Sequence, residues 1–185
     1  SASYGLIVWH ANSGDKETFG SQVVTMMTFT MFQMQPVSVV AADIDGDGDM
    51  DLVTAAFNGQ IAWYENTDGR GAFGDLQIVS PNFFCFDVFA VDIDRDGDMD
   101  LISACWNELA WHENTDGKGT FGTSHNVWKG MSYEASVVAV DIDGDGDVDI
   151  ASVGENKISW YENVDGNGTY GLQRVVYWNA DGASS

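Results

Sequence analysis

Basic residues are scarce in this chain. Seven Lys and Arg stand against 29 Asp and Glu in 185 residues, a formal charge of −22. Phosphate recognition needs a basic patch. None can be assembled from so few cations, so nucleic acid is excluded as a partner, and an anionic membrane surface for the same reason. No apolar run reaches the roughly 18 residues of a membrane-spanning helix, and no segment sustains a helical apolar period. With three His and no suggestion of a Ser–His–Asp arrangement, no catalytic constellation emerges. The start, "SASYGLIVWH", lacks an initiator Met and a basic leader and reads as a processed terminus or an excised piece. Two cysteines, Cys85 and Cys105, match neither a zinc nor a redox spacing. They form one disulfide across a hairpin or act as two small buried hydrophobes.

What is present is apolar bulk and acid. Hydrophobic residues make up 44% of the chain, with seven Trp, ten Phe and six Tyr, enough for a folded core despite the charge. The acid is concentrated. "DIDGDGDMDL" at Asp43 returns as "DIDRDGDMDL" at Asp92 and "DIDGDGDVDI" at Asp141, steps of 49 residues each. Each loop is followed by a second motif, "IAWYENTDGRGAFG", "LAWHENTDGKGTFG" or "ISWYENVDGNGTYG", and a degenerate copy, "IVWHANSGDKETFG", opens the chain.

Repeats of about 40–50 residues are typical of propeller blades. Within each unit, short runs rich in Val, Ile and aromatics alternate with Asp/Asn/Gly turns, which predicts four antiparallel strands. The expected fold is all-β: about three and a half four-stranded blades, an incomplete propeller or part of a larger assembly. The boundaries are a partial blade with a Met-rich connection over 1–35, blades over 36–81, 82–130 and 131–178, and a tail over 179–185.

Five aspartates at alternate positions repel one another unless a cation offsets them. Read as D-x-D-x-D-G-x-x-D, the first loop offers Asp43, Asp45, Asp47 and Asp51, with a Gly for the turn and a backbone carbonyl at Asp49. The second offers Asp92, Asp94, Asp96 and Asp100 around Asp98, and the third Asp141, Asp143, Asp145 and Asp149 around Asp147. All donors are hard oxygens, which selects calcium at three sites. An EF-hand is excluded, since it needs flanking helices and a Glu where Thr54, Ser103 and Ser152 stand. Loops of this kind in extracellular modules bind at roughly 10⁻⁴–10⁻³ M, which points to a calcium-rich compartment outside the cell.

The Asp loop followed by "WYEN" and "GxGxFG" resembles the FG-GAP/VCBS repeats of calcium-binding β-propellers over nearly the whole chain. That resemblance implies a secreted or cell-surface module for binding or adhesion, lectin-like, with glycan or extracellular protein as partner. Neighbouring blades from the same parent chain or other subunits are further expected partners. The alternative is a structural subunit or fragment of a sheath, filament or surface layer. Positions identical across copies, such as Trp63, Trp111 and Trp160, are expected between blades, and Glu65, Glu113 and Glu162 at strand ends. Local function is expected where copies differ: Arg95, Trp106 and His112, with Trp128, Tyr177 and Trp178 near an outer edge. "NGT" at Asn167 is an N-glycosylation sequon in a turn. The stretch from Met26 to Gln35 reads as a strand with one apolar face.

Overall fold

The computed structural model describes residues 6–10, 22–26, 36–57, 60–81 and 84–178. The connection expected after Met26 and the tail from 179 onward lie outside them. The described residues form thirteen strands and no helix. A half-blade pairs β1 (Leu6–Trp9) with β2 (Gln22–Met26). The first whole blade is β3 (Pro36–Ala42), β4 (Asp51–Ala56), β5 (Ile61–Tyr64) and β6 (Gln77–Ser80), antiparallel in that order. The next contains β7 (Cys85–Val91), β8 (Asp100–His112) and β9 (His125–Tyr133). The last is β10 (Ser136–Val140), β11 (Asp149–Gly154), β12 (Lys157–Tyr161) and β13 (Arg174–Trp178).

The middle blade departs from the four-strand count because β8 serves as two strands. Ser103 Oγ and His112 Nε2 are 2.9 Å apart, which requires the strand to fold back on itself. The reversal falls at Asn107, whose φ is 66°, a conformation Asn tolerates better than most residues. Cys85 lies opposite Cys105 in the β7–β8 register, and the two are joined in a disulfide. Of the two readings the sequence left open, the bridge is the one found.

The first strands of the blades lie side by side and are tied by one carboxylate. Asp87 accepts the hydroxyls of Ser38 (2.6 Å) and Ser136 (2.7 Å) and the N–H of Val137 (3.1 Å). Further out, each Trp seats on a glycine of the following blade. A methyl added at Gly71, Gly119 or Gly168 would overlap the ring of Trp9, Trp63 or Trp111 respectively. Trp63 and Trp111 are accordingly buried. Trp160, in the last blade, is covered instead by its own blade's Arg174, 4.6 Å from the ring centre.

The two end faces are open. Val39 is 54% exposed, whereas Val88 and Val137 at the same register of later blades are 3% and 2% exposed. At the other end Ile142 is 43% exposed, against 1% for Ile44 and 0% for Ile93. The described blades form an arc of a propeller, not a closed ring.

Candidate metal centres on the Asp loops

Each Asp loop joins the first and second strands of a blade and folds by bonding its own backbone. Gly48 donates to Asp43 Oδ2 (3.0 Å), Asp47 to Asp45 Oδ1 (3.2 Å) and Asp49 to Asp47 Oδ1 (2.8 Å). The same three bonds recur in the second loop and the third. Gly48, Gly97 and Gly146 sit at φ 94°, 99° and 94°, where a side chain would be strained. The alternate carboxylates thereby converge. Asp43, Asp45 and Asp51 bring one oxygen each within 4.8 Å of one another, as do Asp92, Asp94 and Asp96, and Asp141, Asp143 and Asp149.

The last aspartate of each loop is also a brace. Asp51 accepts the N–H of Ile44 (2.9 Å) and of Asn66 (2.8 Å). Asp100 does the same with Ile93 (3.2 Å) and Asn114 (2.8 Å), and Asp149 with Ile142 (3.1 Å) and Asn163 (2.9 Å). Burial pushes the Asp100 carboxyl up to about 7 and raises Asp51, Asp45 and Asp94 above the ordinary range. These groups are poorly solvated as anions, the condition a bound cation relieves. Asp43 Oδ1 and Asp92 Oδ1 are buried and find no donor among the described residues. Hard oxygens, convergence and orphaned acceptors together fit a divalent cation of the calcium kind.

A sequence model described as FG-GAP-like repeat matches residues 43–103 and 97–152. The chain belongs to the FG-GAP-like repeat family. No curated protein matches the sequence. Among solved structures, a lectin from Agrocybe aegerita, described for specific recognition of non-reducing terminal N-acetylglucosamine, aligns with a TM-score of 0.65 at 22% identity. The alignment covers 94% of this chain and 47% of the lectin. BBS1N, solved in complex with ARL6DN and soaked with lead, aligns with a TM-score of 0.58 at 15% identity, over 97% of this chain and 58% of its own. This FG-GAP-like chain thus spans about half the length of the structures it resembles, and the likeness establishes the propeller fold.

The remaining loop aspartates are placed differently. Asp49, Asp98 and Asp147 turn their carboxylates toward the Gly-rich turns, where a methyl on Gly69, Gly117 or Gly166 would press on them. Asp47, Asp145 and Asp100 lie in the loops but outside the three-residue groups. Among the positions where the FG-GAP-like copies differ, His112 is buried at 1% exposure and belongs to the core. Trp128 is half-buried with Lys157 Nζ 4.8 Å from its ring centre. Trp106 and Tyr177 are exposed, and nothing is described of the Trp178 side chain. Asn167 is exposed in its turn.

Sequence reasoning passed over the Asn that follows each "WYE" or "WHE". Asn114 Nδ2 donates to the carbonyl of Ile44 in the preceding blade's Asp loop at 2.8 Å, and Asn163 Nδ2 reaches Ile93 at 3.5 Å. Their Oδ1 atoms accept Gly119 (3.0 Å) and Gly168 (3.2 Å) of their own Gly-rich turns. The signal was available: Asn recurs three residues after every Trp of the motif. The Glu residues beside them offer backbone carbonyls to Gly74, Gly122 and Gly171 N–H at 2.8–2.9 Å, and the carboxylates of Glu113 and Glu162 face His125 (3.5 Å) and Arg174.

Proposed function

We propose that the chain is a calcium-binding propeller module that acts outside the cell in binding or adhesion, with a glycan or an extracellular protein as ligand and no catalytic step of its own. The observation that carries the reading is a three-carboxylate cluster in each of the three Asp loops, with buried unpaired oxygens in two of them. Calcium supplies the charge that offsets these carboxylates and stabilises the folded turn. The Cys85–Cys105 disulfide suits an oxidising compartment. No helix among the described residues is long and apolar enough to cross a membrane.

The likeness to the Agrocybe lectin supports glycan as the ligand to test first. The face opposite the Asp loops carries the aromatics that could stack on a sugar ring. Phe57, Phe84 and Trp106 are all exposed there. Phe57 lies edge-on to Phe84 and to Phe86, each 5.5 Å away, and the Trp106 backbone N–H donates to the Phe84 carbonyl at 2.8 Å. Aromatic groups with one apolar face and a wet edge suit such contacts.

Glycan-array binding in millimolar calcium, beside a chelated sample and Trp106→Ala, tests the reading. Selective binding that is lost on chelation and weakened about tenfold by the substitution is expected. A folded protein that binds no glycan contradicts the lectin form. The open end faces at Val39 and Ile142 would then favour a structural subunit completed by neighbouring blades.

A further inference from the structure

The three Asp loops are not equivalent. At their fourth position Gly46 and Gly144 have φ of 74° and 85°, and Arg95 takes the same left-handed conformation at 65°, one that non-glycine residues adopt rarely. Its side chain crosses to the next blade and pairs with Asp147 of the third loop, its guanidinium approaching Gly146. Between the first and second loops the corresponding space is a cavity of about 100 Å³ lined by Asp43, Gly46, Asp98 and Gly117. The third loop differs again at its first aspartate. Asp141 Oδ1 accepts the Gly144 N–H at 2.7 Å, whereas Asp43 and Asp92 keep that oxygen unpaired.

We propose that Arg95 makes the third loop the weakest of the three divalent-cation sites, so that the array loads in a set order with the third loop last. The inference rests on the calcium reading above. A guanidinium held against Asp147 and near Gly146 puts a fixed positive charge on the third loop, a repulsion toward a dication there of about threefold to tenfold in affinity. Asp141 must in addition share an oxygen already committed to Gly144. Arg95 is half exposed, so salt screens its effect.

Titration calorimetry of the chelator-stripped full chain with calcium reads the steps. Asp143→Asn should abolish the weakest step. Arg95→Gly and Arg95→Gln should both tighten that step about threefold to tenfold at low salt and by less than about twofold at high salt. Arg95→Gln keeps a side chain at the left-handed position, so tightening by Arg95→Gly alone would assign the effect to the backbone and overturn the proposal. Unchanged steps in both variants, or loss of the tightest step in Asp143→Asn, would overturn it while leaving calcium binding intact. Absence of binding in every protein would overturn both.

Discussion

The side-chain amide of Asn114 donates to the Ile44 carbonyl at 2.8 Å, across seventy positions of sequence. Ile44 lies inside the first Asp loop, and its own N–H is held by Asp51. Asn114 in turn is held by Asp100 of the second loop through its backbone N–H. One chain of hydrogen bonds therefore runs from one candidate metal loop to the next.

Asn114→Ala removes that latch and leaves the buried Ile44 carbonyl without its partner. A loss of about 2–3 kcal/mol is expected, measured by urea unfolding. The loss should be accompanied by weaker calcium binding at the first loop, because Ile44 is then free to shift. A variant as stable as the parent would show that the latch contributes nothing.

Gly119→Ala tests the seat of Trp63. The added methyl overlaps the indole, and the residue sits at φ 80°, so overpacking and backbone strain add to about 2–4 kcal/mol. Gly74→Ala, whose nearest neighbour would be 3.5 Å away and whose φ is ordinary, should cost well under half of that. Thermal melts of the two variants check the difference.

Replacing Cys85 and Cys105 by Ala opens the β7–β8 hairpin, a sequence separation of 20 residues. The chain-entropy account gives a loss of about 3 kcal/mol. Unfolding midpoints with and without reductant should converge in the variant and differ in the parent.

Two buried groups set opposing pH dependences in the metal-free protein. Burial raises Asp100 to about 7, so its contribution to stability is present in full below the ordinary value of 3.8 and is lost as pH rises through about 7. Burial, with His125 adding to it, lowers His112 from 6.5 to about 4, so its contribution is present above 6.5 and is lost as pH falls toward about 4. His112→Tyr installs the residue found at Tyr64 and Tyr161 and removes the second slope. Chelated His112→Tyr should then lose stability steadily from about pH 4 to pH 7, and calcium should abolish the trend. A flat chelated profile would contradict the burial of Asp100.

The repeat, the strands and the Asp loops were legible in the sequence because each is local: alternation, turn residues and a fixed spacing suffice. The disulfide was only half legible. Two cysteines in one hairpin permit a bridge, but the register that sets Cys85 opposite Cys105 depends on the bulge between Cys85 and Asp87. Asp87 went unread because its partners, Ser38 and Ser136, meet it only once blades are stacked. Its replacement of Ser at the repeat position was nonetheless visible. His112 drew attention as a difference between copies, yet its imidazole fills a core position that Tyr64 and Tyr161 fill elsewhere, so variation there reflects packing. Whether an end face is covered is a property of what stacks on it, and Ile142 has the same sequence context as Ile44.

On the proposed function, the three Asp loops take up calcium and that uptake holds the blades together. Calcium titration of chelator-stripped protein, followed by heat and by melting temperature on one sample, decides whether they do. Saturable uptake of about three ions per chain, with a melting temperature that rises as the sites fill, is the predicted result. No saturable uptake at millimolar calcium, with melting unchanged by chelator, would contradict it.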